Sequence, residues 1–145
     1  MEQLTVKLVN GIMNRLRSVF GDTYSVYTEE AEQEFIKPCF LLTVLPEGCR
    51  PFLGSRRQLQ NKAEIRFYPE PASGQETALQ EAAGKLMKEM EWIELPDGDL
   101  IRGTKMASEK KNNLLYFTVH YNLVVTETRE QELLGGIKTR IDTKE

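Results

Sequence analysis

The stretch LLYFTVHYNLVV, residues 114–125, decides how the chain folds, because it alternates without a break. One face carries Leu115, Phe117, Val119, Tyr121, Leu123 and Val125, and the other carries Leu114, Tyr116, Thr118, His120, Asn122 and Val124. A period of two with one apolar and one mixed face marks an antiparallel strand covered on one side. Its β-branched and aromatic residues suit a pleated surface. At about 3.3 Å per residue the stretch would run roughly 40 Å, about twice a common strand. Such a strand is expected to outrun its sheet or bend at a bulge, and its surplus edge would need a partner.

Just upstream, residues 100–107 predict a strand with Gly103 near its middle, a place for a bulge or a close backbone approach. The polar KKNN at 110–113 joins it to the long strand as a hairpin. Before it, Ser73 and Glu76 form a capping-box pattern, followed by Leu79, Ala82, Ala83, Leu86, Met87, Met90 and Ile93 at helical spacing. A leucine and methionine stripe of this kind predicts a face packed on the sheet.

KAEIRFY, 62–68, alternates with Ala63, Ile65 and Phe67 inward, and CFLLTVL, 39–45, is apolar on both faces like a strand covered on both sides. YSVY, 24–27, is a short strand. Residues 3–20 predict an amphipathic helix through Leu4, Leu8, Ile12, Leu16, Val19 and Phe20, with Gly21 as its C-cap and Gly11 marking close packing. Residues 47–61, EGCRPFLGSRRQLQN, are expected to be a long connection. Past Thr126 the sequence is polar and broken by Gly135 and Gly136, a frayed tail or an arm that orders on a partner.

These elements give an α+β domain: about five strands in an antiparallel or mixed sheet, two helices on one face, in the order α-β-β-β-α-β-β. The domain is expected over residues 1–127, with 128–145 as a polar tail or arm. A chain of 145 residues with 40% hydrophobic and 28% charged residues is ordinary for one soluble domain. Its net charge of −3 argues against a dedicated high-affinity DNA binder. No apolar run reaches the roughly 18 residues of a membrane-spanning helix and MEQLTVKLVNG is not a signal peptide, so the chain is expected in the cytoplasm. Cys39 and Cys49 match no zinc or redox spacing and are expected to stay reduced.

No catalytic cluster stands out. His120 is the single histidine, and a lone strand histidine with no carboxylate at a useful spacing is more often structural than a metal ligand or base. No nucleotide-binding, nucleophile-elbow or zinc-protease motif is present. No catalytic, cofactor-binding or metal-ligating residue is therefore nominated. The basic set Arg50, Arg56, Arg57 and Lys62, with Phe52 and Leu53 among it, has three readings. It touches nucleic acid, meets the acidic run at 29–34 of an adjacent copy, or is a solvated loop.

Several segments occur together in a familiar order: Pro38-Cys39-Phe40, Leu53-Gly54-Ser55-Arg56-Arg57, Ile65-Arg66-Phe67-Tyr68-Pro69, Ile101-Arg102-Gly103-Thr104-Lys105-Met106, and Leu115 to Asn122. Over residues 3–126 the chain resembles the phage tail terminator family of myovirus-like prophages and phage-tail-like particles. The family pattern carries an aromatic after the first loop arginine, and here Arg57 stands there.

The resemblance implies a non-enzymatic assembly protein: a ring of identical subunits, commonly a hexamer, that caps the tail tube and joins it to the head connector. It would be present in the host cytoplasm during assembly and then in the particle. The partners implied are further copies, the tail tube protein and a neck or connector protein, with no membrane, no sequence-specific nucleic acid and no cofactor. Arg56, Arg57, Arg102 and Gly103, with Glu30 and Glu34 of the acidic run, are the interface residues expected. The alternatives are a neck or connector protein of the same particle, or a small nucleic-acid module using the basic loop 50–62.

Overall fold

A computed structural model describes residues 2–28, 36–71, 74–129 and 137–142. The elements run α1 (Glu2–Phe20), β1 (Ser25–Thr28), β2 (Cys39–Pro51), β3 (Arg56–Tyr68), α2 (Gln75–Glu89), β4 (Trp92–Glu94), β5 (Leu100–Lys111), β6 (Leu114–Arg129) and β7 (Ile137–Asp142). They build an α+β fold around a mixed sheet of seven strands, ordered β1-β2-β3-β6-β5-β4 with β7 also on β6. β1 runs parallel to β2 and every other pairing is antiparallel.

The alternating stretch is the spine of this sheet. Leu115, Phe117, Val119, Tyr121, Leu123 and Val125 are all buried, and they share one core with Leu8, Ile12 and Leu16 of α1 and Leu79, Ala82 and Leu86 of α2. Each leucine or isoleucine among them contributes about 1.5–3 kcal/mol when fully buried, so the two helical stripes hold the helices to the sheet. The opposite face of β6, from Tyr116 to Val124, is only half-buried. Gly21 closes α1 with φ of 88° and an amide bonded to Arg17 O at 2.9 Å. Gly11 marks close packing, since a Cβ there would stand 3.0 Å from Glu94 O.

Several expectations are corrected. The long strand is not a free edge: β3 pairs it from Leu115 to Thr126, while β5 and β7 divide its other side. The spare margins lie elsewhere. β1 covers β2 only over Cys39–Leu42 and β4 covers β5 only over Leu100–Arg102. Among the described residues, 43–51 of β2 and 104–111 of β5 have no ladder partner on their outer sides. Accordingly only Cys39, Phe40, Leu41 and Leu42 of the apolar run are buried, and Leu45 is exposed.

The segment 47–61 is not a long loop. It extends β2 and β3 into one hairpin, paired out to Pro51 and Arg57, with a tip of four residues, 52–55. Ile93 does not belong to the second helix, which stops at Glu89, but is buried in β4. Of the capping-box pair, Ser73 lies outside the described residues; Gly74 is the N-cap with no side-chain bond, and Glu76 pairs with Lys110 of β5. The bulge falls between Thr104 and Ala107, just beyond Gly103. The β5–β6 turn is Asn112-Asn113, with φ of 54° and 62°, the two positive angles that a tight hairpin turn needs. Within the stretch 128–145, β7 pairs with β6 over Val124–Arg129.

Tyr121 ties α2 to the sheet. Its ring is fully buried and its hydroxyl donates to Met90 O, just past the end of α2, at 2.6 Å. Burial pushes the phenol well above its ordinary value, outweighing the opposing pull of Arg15. The folded state therefore keeps this proton where the unfolded chain, titrating near about 10, loses it. The contribution is present below that pH and is lost above it, at up to about 1.4 kcal/mol per pH unit. Tyr121→Phe is expected to cost about 1–2 kcal/mol at neutral pH by orphaning the Met90 carbonyl. Denaturant titrations from pH 8 to 11 should show a shallower alkaline loss for the variant; parallel curves would contradict the assignment.

Candidate assembly interface

Two surfaces stand out from the described residues. The first is the tip of the β2–β3 hairpin. Phe52 and Leu53 are 46% and 68% exposed there, although both are large and apolar. The tip closes through Phe52 N to Arg56 O and Arg56 N to Leu53 O, each 2.9 Å, with Gly54 at φ of 60° making the turn. Along the hairpin stand Arg50, Arg56, Arg57 and Lys62, and the sequence from 50 to 62 has no acidic residue. Arg50 Nε donates to Gln58 Oε1 at 3.0 Å.

The second is a groove of about 510 Å³ between α1 and the β4–β5 turn, lined by Gly11, Asn14, Arg15, Trp92, Glu94 and Leu100 among others. Ion pairs frame it: Arg15 with Glu89 at 2.8 Å and Lys7 with Asp97 at 3.5 Å. Trp92 is 42% and Leu100 53% exposed, an apolar pair on the outer side of the strands. Arg102 lies over the Trp92 ring at 5.8 Å and pairs with Glu91 at 3.1 Å. From Glu89 to Asp99 the chain carries five carboxylates and no basic residue. Neither Glu94 nor Asp99 makes an ion pair among the described residues.

The interface residues expected from sequence therefore separate. Arg56 and Arg57 are on the hairpin next to the tip, and Arg102 is on the far margin beside Trp92. Gly103 is buried, and a Cβ there would stand 2.6 Å from Val119 Cγ2, so the strands pack closely at this position. Glu30 and Glu34 lie outside the described residues. Trp92 was missed because the three-residue strand β4 shows no periodicity, and Leu100 because it reads only as the first residue of the strand 100–107; the run of carboxylates around Trp92 was the available signal.

His120 gains a partner that spacing did not reveal. Its Nε2 is 3.2 Å from Glu47 Oε1, where β2 shifts register between Pro46 and Gly48. His120 Nδ1 and Asn122 Oδ1 are buried without a hydrogen bond. The pair belongs to neither the groove between α1 and β4 nor a smaller one lined by Thr5, Val9, Leu42 and Val44. Among the described residues no cluster of three or more metal-ligating side chains forms. Cys39 and Cys49 are free thiols ten positions apart on β2, roughly 33 Å along a strand and far beyond disulfide reach. Burial pushes the Cys39 thiol up and keeps it protonated.

Among the described residues the surface thus offers open strand margins, a hairpin tip with exposed apolar side chains and an open groove. A family model described as phage tail terminator protein matches residues 7–132. The chain belongs to the phage tail terminator family. That family has a structural role in the phage particle, which places its members among tail and head-joining components. No curated protein matches the chain. No helix among the described residues is long and apolar enough to cross a membrane.

Proposed function

We propose that the chain assembles into a ring, a hexamer, that caps the end of the tail tube and offers the head connector its docking surface. On this reading it has no catalytic role, gathers in the host cytoplasm and ends in the particle. The observation that carries the proposal, beside the family, is the β2–β3 hairpin, whose tip exposes two large apolar side chains between basic flanks at the end of the sheet. Arg56, Arg57 and Arg102 would lie at subunit contacts, with the run containing Glu30 and Glu34 as a further acidic surface. A ring needs two different patches on each copy, and opposite margins of one sheet provide them.

The test is the mass of the chain in solution with and without purified tail tubes, with electron microscopy of the tube ends. Ring-shaped caps at tube ends are expected. The double reversal Arg56→Glu, Arg57→Glu should weaken association about 10-fold or more, and more at low salt than at high salt. Bare tube ends and a monomer under all conditions would refute the ring, and unchanged association of the reversed variant would remove these arginines from the contact.

A further inference from the structure

The hairpin tip and the α1–β4 groove sit on opposite margins of one sheet. In the order β1-β2-β3-β6-β5-β4, four strand spacings separate β2 from β4, about 19 Å at roughly 4.8 Å each. Along the strands, Arg56 stands five residues beyond the Gly103–Tyr121–Asn61 rung and Leu100 three residues beyond it toward the same end, so the tip lies only about 7 Å further along than Leu100. A chain with its tip at one margin and its groove at the other presents two different patches, as head-to-tail association requires.

The two patches also match in chemistry. The tip offers Phe52 and Leu53, and the groove offers Trp92 and Leu100, all four substantially exposed. Around the tip the charges from 50 to 62 are all basic; beside the groove Glu89, Glu91 and Asp97 are already paired with Arg15, Arg102 and Lys7, which leaves Glu94 and Asp99 as its acidic groups without an ion pair among the described residues. Apolar anchors seated in a pocket supply most of the binding free energy of an interface, and complementary charges set its register.

We propose that the 52–55 tip of one copy seats in the α1–β4 groove of the next, with Phe52 and Leu53 against Trp92 and Leu100 and the hairpin arginines facing Glu94 and Asp99. This contact rests on the ring reading given above and names the surfaces that would join one subunit to another. It is directional, so every copy donates one tip and receives one.

Directionality makes the contact testable with two variants of the full chain. Phe52→Glu, Leu53→Glu spoils the tip and keeps the groove. Glu94→Lys, Leu100→Lys spoils the groove and keeps the tip. All four positions are exposed, and circular dichroism melts serve as the folding control. Each variant alone should associate about 30-fold more weakly than the wild type, or more. An equimolar mixture should give a one-to-one pair by native mass spectrometry, because one intact tip meets one intact groove and growth stops there.

A wild-type chain that assembles while both variants assemble equally well overturns this contact and leaves the ring standing. A mixture that stays monomeric although both variants are folded overturns it as well. A wild-type chain that associates neither in solution nor on tube ends refutes the ring itself. Restored association of an Arg57→Glu chain by a Glu94→Lys chain would fix the charge register of the contact.

Discussion

Replacing Phe40 by alanine is expected to remove about 3–5 kcal/mol of stability, the largest loss of any single truncation considered for this fold. Phe40 is fully buried, and its ring stands 4.7 Å from Phe20, 5.1 Å from Phe67 and 5.8 Å from Tyr24. That cluster joins the end of α1, the loop after it and strands β2 and β3 at one corner of the sheet. Truncation loses the transfer free energy of the ring and leaves a cavity that four separate elements cannot close together. In a domain of this size the midpoint of thermal unfolding should fall by about 10 °C or more. Phe40→Leu, which keeps most of the volume, should cost well under half as much. Urea unfolding with an unchanged slope checks both values, and an alanine variant within about 1 kcal/mol of the wild type would show that the corner repacks.

The second large effect is expected at Gly103. Its added Cβ would stand 2.6 Å from Val119 Cγ2, 2.9 Å from Tyr121 Cε1 and 3.1 Å from Met90 O. Two of these atoms belong to the fully buried spine and the third is backbone, so none can swing into solvent. Gly103→Ala should cost about 2–3 kcal/mol through overpacking, and a valine should cost more. The first atom in the way is a methyl group, so Val119→Ala in the same chain should recover part of the loss. A coupling of at least about 0.5 kcal/mol is expected in the double-mutant cycle. Additive costs, or an alanine variant as stable as the wild type, would mean that β5 moves away from β6 at its bulge.

The resemblance to tail terminators was carried by segments that the fold then placed in one connected region. The strand ending in Phe67-Tyr68 and the strand Leu115 to Asn122 are direct neighbours, with Phe67 opposite Leu115. Residues 47–61 were misread because their composition is turn-like: two glycines, a proline, arginines and glutamines with little alternation. They become strand because β6 offers a long ladder, against which Leu59 and Asn61 are buried, and Asn61 Nδ2 donates to Tyr121 O at 3.1 Å. Intrinsic preference is weak in strands, and a pairing partner overrides it.

Which side chains face the core could be read without coordinates. The alternation of 114–125 and the three-and-four spacing of Leu8, Ile12 and Leu16 are local repeats, and a repeat within one segment settles which way its side chains point. Which strand edges stay open could not be read in this way. That depends on β3 pairing with β6, on β7 taking the length of β6 that β5 leaves, and on α1 meeting β4 to make the groove. Those partners are distant in the chain, and their pairing is chosen by shared burial and ladder hydrogen bonds that exist only once the whole sheet has formed.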